Sequence, residues 1–434
     1  MSNRESEFSK VLNTGDVLVV AFGAMIGWGW VVSSGQWITS GGVLGTVLGF
    51  IIGGIMIYFV GLCYAELTTA MPKCGGEHVF SYKAFGSIGA YICTWSIILS
   101  YIGVVCYEAV SFPTILQYVF PKIARGYLYS VGGFDIYFTW LLIAIGMALL
   151  ILFLNIIGMK KAARFQKILT CVIAAVGIAL VAGAAYSGNV SNLQNQLLIG
   201  DTSGEIIQNI AKVAIMTPFF LFGFDVIPQA AEEINVPLKK LGKMMIFSII
   251  MAVSFYVLVV LAVGYVMDAG QIKTSTSSAT GLVTADAMGV AFNNANMAKV
   301  LIIGGLCGIV TSWNSFLIGG SRALYSMSVS YMLPRKFAVL HKKYNTPVNS
   351  LLLIGALSVI SPFFGRSMLV WIVDAGNFAC CFAYCIVSLS FIVLRRKEAD
   401  MRRPYKVKHY KFVGIVAVIM SGTMSAMYII PETN

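Results

Sequence analysis

The chain has 434 residues, 58% of them hydrophobic and only 11% charged, with a mean hydropathy of +0.83. This excludes a water-soluble fold; at roughly 20 apolar residues per bilayer crossing, there is room for about ten to twelve transmembrane helices and for no extramembranous domain of useful size. The net charge of +12 would point to nucleic acid in a soluble protein, but membrane topology sorts Lys and Arg, and no nucleic-acid role is expected.

The polar stretch 1–14 is read as a cytoplasmic N-terminus without the cleavage pattern of a secretory signal. Eleven apolar spans are expected at about 15–37, 43–70, 86–118, 136–157, 163–187, 205–231, 242–267, 297–330, 347–364, 367–394 and 410–430. The first contains Gly23, Gly27 and Gly29 at mid-depth, which makes a continuous helix costly and predicts a break from Ile26 to Gly29. The third carries Glu108 in its middle. In the sixth, Pro218 and Pro228 bracket Gly223-Phe224-Asp225; the prolines cannot donate backbone hydrogen bonds, and an Asp at that depth must face protein or water. A second break follows, because non-helical backbone in a membrane is tolerated only where it is buried in protein or lines a cavity. The last span is followed directly by Pro431, so an odd span count leaves the C-terminus outside.

With the N-terminus inside, 24 of the 30 Lys and Arg residues fall in inside loops and six outside, which predicts that orientation. The nine cysteines show no zinc or disulfide spacing and read as small core hydrophobes. His78, His341 and His409 all fall in inside loops, so no catalytic constellation and no metal cluster is expected in the bilayer, and the chain is not read as an enzyme. An ion channel would favour repeated filter segments or charged rings; two different broken helices argue instead for a site within one protomer, and a channel or transporter-like receptor stands as the alternative of another class.

The first and sixth spans each open a set of five, 15–187 and 205–394, and an odd offset inverts the second set relative to the first; 410–430 is an additional span. Interrupted helices at corresponding positions of two inverted halves point to a secondary-transporter binding site. Half-helix N-termini there offer N–H groups and a positive dipole end to a carboxylate, and free carbonyls opposite can accept from an ammonium. The arrangement suits a zwitterion.

These residues resemble the amino acid–polyamine–organocation superfamily of permeases, in particular its amino acid permeases. GAMIGWGW is similar to that family's first-span glycine pattern. Tyr64-Ala65-Glu66-Leu67 with Met71-Pro72 and Gly75-Gly76, Ala163-Arg164-Phe165-Gln166, Gly223-Phe224-Asp225 with Ala231-Glu232-Glu233, and Ser321-Arg322-Ala323-Leu324-Tyr325 with Leu333-Pro334 look like its later signatures in order. The resemblance implies an all-α membrane protein with the leucine-transporter-type inverted five-plus-five repeat, discontinuous first and sixth helices, and alternating access. It also implies twelve spans, so a twelfth is expected to be missing. Trp28 stands where the family usually has Ser or Thr, Trp30 where it has an aliphatic residue, and Ile173 where some proton-coupled relatives carry a Lys.

The expected substrate site comprises Ile26, Gly27, Trp28, Gly29, Trp30, Phe219, Phe222, Gly223, Phe224 and Asp225. Phe219 and Phe220 are candidate gates, Phe219 by its resemblance to the family's outer aromatic position. Glu108 and Asp225 are candidate coupling or cation-neutralising groups, since an intramembrane acid is a functional hypothesis by default. Thr311, Ser312, Asn314 and Ser315 offer oxygens for a sodium ion. Glu66 and Glu233 are read as structural, and Asp374 as a gate or packing contact. The expected function is secondary transport of a small amino-group-bearing solute, an amino acid first and an organic amine or polyamine second. No cofactor is expected beyond a proton or sodium gradient. The partners are a small-molecule substrate and the lipid bilayer, with no obligatory protein partner, and the location is the plasma (inner) membrane with the N-terminus cytoplasmic.

Overall fold

The structure, a computed structural model, describes residues 8–278 and 280–428, and in one helix only the backbone of residues 366–371, 373 and 374. The expected Asp374 site therefore lies outside the described residues. A capping box opens helix α1 (Thr14–Met25): the Asp16 amide donates to the Asn13 side chain and the Asn13 amide to the Asp16 carboxylate, both at 3.1 Å, satisfying two otherwise orphaned donors. After a break come α2 (Gly29–Val32) and α3 (Ser34–Ala70), the latter bent at Gly42, where φ is +76°. Helix α4 (Glu77–Val119) is bent at Gly86, which separates a short first segment from the long remainder.

The chain then forms a small hairpin, β1 (Tyr127–Val131) and β2 (Phe134–Tyr137), paired antiparallel with Val131 opposite Phe134. Its Gly132-Gly133 turn has positive φ at both glycines, the turn type whose twist matches a hairpin. Among the described residues this two-stranded sheet is what the all-α expectation does not include. There follow α5 (Phe138–Ile156), α6 (Met159–Ser187), α7 (Ser203–Phe220), the short α8 (Val226–Gln229), α9 (Leu238–Val266), α10 (Ala269–Thr276), α11 (Val283–Ala291), α12 (Ala295–Val329), α13 (Val348–Ile360), α14 (Gly365–Lys397) and α15 (Tyr410–Met427).

Among the described residues, eight helices are long and apolar enough to cross a membrane. The most apolar window of α12 is 89% buried and that of α15 33%, which places α12 at the centre and α15 at the periphery. Helix α12 packs against α1, α4 and α6; α3 packs against α7 and α9; α14 packs against α4 and α15. On α3, Leu44, Leu48, Ile51, Ile55 and Tyr58 are exposed at helical spacing, a stripe suited to hydrocarbon. Its opposite face carries Gly49 and Gly53, where a Cβ would stand 2.7 Å from Val213 and 2.6 Å from Thr217 of α7. Small residues bring the two backbones together where no hydrophobic driving force separates helix from lipid.

Buried ion pairs tie helix ends together. Arg322, fully buried in α12, donates to Glu233 at 2.8 Å, and Glu66 on α3 takes Arg395 at 2.7 Å and Arg403 at 3.1 Å. Glu66 and Glu233 thus hold helix ends together. Arg322 lies within α12, and Glu233 compensates its charge inside the protein.

Candidate functional site

Both interrupted segments meet at the centre of the bundle. Gly223, between α7 and α8, has φ +124°, and a Cβ there would stand 2.6 Å from the Ala24 Cβ and 2.8 Å from its carbonyl carbon. Only glycine permits this backbone and this approach. On the other side, a Cβ at Gly308 of α12 would stand 2.5 Å from the Gly27 carbonyl oxygen, so α12 lies directly on the first break.

Between the breaks is a cavity of about 120 Å³, bounded by Gly27, Trp28 and Gly29, by Phe219, Phe220 and Phe222, by Val104, Tyr107 and Glu108 of α4, and by Tyr256, Ser312 and Phe316. A second space of about 230 Å³ shares Trp28, Val32 and Tyr107 with it and leads to Ser278, Thr280 and Gly281, beyond α10. The cavity walls are mostly apolar, with few polar groups. Chief among these is Glu108, 5% exposed, with Ser312 as a hydrogen-bond partner and its Oε2 unpartnered. Helix α2 starts without a side-chain cap, and the first amides of a helix have no acceptor within it.

The expected free carbonyls of the first break are largely covered. The Tyr256 hydroxyl donates to the Met25 carbonyl at 3.1 Å, and Gly308 sits against the Gly27 and Ile26 carbonyls. Of the aromatics, Phe219 and Phe222 face the cavity 6.2 Å apart, while Phe220 wedges against Trp37 at 4.7 Å and bounds the cavity from behind.

Four expected site positions lie off the cavity wall, besides Gly223 at the contact between the breaks. Ile26 is fully buried at the end of α1. Trp30 is fully buried against Phe255, 5.3 Å edge to face. Phe224 packs edge-on to Tyr64 at 5.3 Å. Asp225 binds the break itself: its Oδ1 accepts from the Gly223 amide at 2.9 Å and its Oδ2 from the Tyr101 hydroxyl at 2.5 Å.

Three of the four candidate sodium ligands are hydrogen-bonded within the protein, and the oxygens of two, Asn314 and Ser315, accept. Thr311 donates to the Gly308 carbonyl at 2.9 Å. The Asn314 oxygen accepts from Asn155 at 2.8 Å and its amide donates to Gln166 at 2.7 Å, and Gln166 in turn donates to Ser315 at 2.8 Å. This chain of amides and hydroxyls fastens α12 to α5 and α6, leaving Ser312 alone of the four on the cavity.

The sequence reading did not assign Tyr107, Tyr256 and Phe316 to the wall. Tyr107 adjoins Glu108, the one signal available; the other two come from distant helices with nothing local to mark them.

Comparison with known proteins gives the family. The family model described as amino acid permease matches residues 12–434. Similar curated proteins include a methylthioribose transporter of Bacillus subtilis (strain 168), 24% identical over 99% of this chain and 90% of its own length. The branched-chain amino acid permease BcaP of the same strain is 26% identical over 93% of the chain and 84% of its own length. Its aspartate-proton symporter is 25% identical over 96% and 79%. With the family model spanning nearly all of its residues, the chain belongs to the amino acid permease family.

Proposed function

We propose that this permease is a secondary active transporter of a small amino acid, working by alternating access, with the solute held between the two breaks. The observation that carries the reading is the cavity itself: both interrupted segments line it, and a carboxyl with an unpartnered oxygen faces into it. The substrate carboxylate would take the uncapped amides at the start of α2. Because the break carbonyls are covered, the ammonium would turn to Glu108 and Ser312. Phe219, Phe222, Trp28 and Phe316 would enclose the side chain, and the small volume favours a short one.

In this reading the eight long helices, the two interrupted ones and α13 make eleven crossings, and spans 1–5 and 6–10 are inverted repeats with the N-terminus cytoplasmic in the plasma membrane. The space leading past Trp28 toward Ser278, Thr280 and Gly281 is then the outer vestibule, Phe219 is the lid between vestibule and site, and Phe220 backs the first break. Glu108 carries the coupling proton, and the aspartate-proton symporter among the relatives supports that choice. The oxygens of Asn314 and Ser315, which already accept from Asn155 and Gln166, argue against sodium.

Glu108 also supports a second reading, an organic amine or polyamine without a carboxylate, for which an acid is the natural partner. Purified protein screened by thermal shift against amino acids and amines separates the two, since a ligand at 100 times its dissociation constant stabilises by about 2.7 kcal/mol. Saturable uptake and counterflow of the best ligand in proteoliposomes then test transport. An amine stabilising where no amino acid does would overturn the first reading, and uptake that neither saturates nor shows counterflow would overturn both.

A further inference from the structure

A second buried polar cluster lies on the far side of the sixth-span break from the substrate cavity. Its members are Glu77 at the start of α4, Tyr64 of α3, Tyr101 of α4, Asp225 and Gln229 at the two ends of α8, and Tyr384 of α14, all fully buried. Among the described residues, the other titratable groups facing it are the thiols of Cys93 and Cys380. The neighbouring bases are turned elsewhere: His78 bonds Thr94 and Ser330, and Arg322 is paired with Glu233.

Polar accounting separates the two acids. Both oxygens of Asp225 accept from donors, as suits a carboxylate. Glu77 accepts from the Gln229 side-chain amide with Oε2, whereas its Oε1 and the Gln229 Oε1 have no partner; of the phenols, Tyr64 bears on Glu77 and Tyr384 on Asp225. Two carboxylates facing neutral phenols and thiols would leave buried charge uncompensated. One proton on Glu77 Oε1 removes one of those charges and makes the unpartnered oxygen a donor.

The same residue grips the moving part. The Gly75 amide donates to the Gln229 carbonyl at 3.2 Å, so the first inside loop holds Gln229 by main chain and by side chain. A Cβ at Gly76 would stand 2.7 Å from Pro228, and there is no slack between loop and helix.

We propose that Glu77 is a proton-binding site that locks α8, the inner half of the sixth span. When this proton passes to water on the inner side, the carboxylate left behind repels Asp225, and α8 parts from the first inside loop. The meaning of the lock for transport rests on the alternating-access reading, but its test needs no transported solute.

The experiment is an infrared titration of purified, reconstituted protein from about pH 5 to pH 9, with hydrogen exchange of peptides covering 223–234 corrected for intrinsic chemistry. Glu108→Gln serves as the reference, because it removes the acid of the substrate cavity. A protonated-carboxyl carbonyl band should persist in it at neutral pH and vanish on adding Glu77→Gln. Exchange at 226–234 should rise at least several-fold as the band titrates away, and stay slow at every pH with Glu77→Gln. Glu77→Asp should restore the pH response. Absence of the band from the Glu108→Gln protein overturns the proposal even if the double variant does not fold. A band lost with Asp225→Asn and kept with Glu77→Gln also overturns it, by moving the proton to Asp225. Exchange that follows sodium or potassium at constant pH, with no band, overturns it in favour of a metal cation.

Discussion

Gly223→Ala tests whether the meeting of the two breaks holds the site together. The new methyl meets two obstacles. Its backbone sits at φ +124°, outside the regions open to residues with a side chain, at a cost of about 1–2 kcal/mol if it resembles the left-handed penalty. It also enters a contact of 2.6 Å with the Ala24 Cβ and 2.8 Å with the Ala24 carbonyl carbon, and overpacking of this kind costs typically about 1–3 kcal/mol. The sum is about 2–5 kcal/mol, expressed as a lower melting temperature in detergent and as weakened binding of the best ligand, because Ala24 is part of the cavity wall. Ala24→Gly removes one of the two contacts but neither the backbone strain nor the carbonyl-carbon contact. The double variant should therefore recover part of the loss, with a coupling energy above about 0.5 kcal/mol. Strict additivity of the two substitutions, or a Gly223→Ala protein as stable and as tightly binding as wild type, would refute the contact between the breaks.

Phe219→Ala should weaken binding and raise passive leak of the ligand from proteoliposomes, since it takes a large face from the cavity; unchanged affinity and leak would return Phe219 to a packing role. Glu108→Gln keeps shape but cannot titrate, so initial uptake should lose its dependence on external pH, and a full wild-type profile would dismiss Glu108 as the coupling group. Asp225→Asn should instead depress binding at every pH, because the amide that replaces Oδ2 or Oδ1 cannot accept from the Tyr101 hydroxyl or the Gly223 amide; equal binding at all pH values would show that these bonds do not shape the site. Arg322→Leu leaves Glu233 buried without its partner and should destabilise by about 3–5 kcal/mol, read as a fall in melting temperature; wild-type stability would mean that Glu233 finds another donor.

Composition and local pattern were enough to read an all-helical membrane chain, because hydrocarbon admits few spanning structures and apolar length is written residue by residue. The breaks near Gly27 and Gly223 were legible for the same reason: glycine and proline act on their own backbone. Gly132-Gly133 was an equally local signal, and the hairpin it turns was overlooked among the helices. Glu108 could be singled out because an acid in the middle of an apolar span is conspicuous anywhere.

What the acids do was not local. Asp225 sits in the break, yet its oxygens are spent on Gly223 and on Tyr101 from another helix, so it shapes the site without lining it. Trp30 follows a break glycine but turns into Phe255, because a helix restarted at Gly29 sends successive side chains to different faces. Thr311, Asn314 and Ser315 have the chemistry of ion ligands, and partners on α1, α5 and α6 decide that most of their oxygens are engaged by the protein. Glu77, in a stretch that reads as an inside loop, becomes part of a buried cluster only when α3, α8 and α14 close around it. Helix and break are set by covalent geometry and solvent within a few residues, whereas the partner of a buried polar atom is chosen by packing across the bundle, and that choice was left to the tertiary structure.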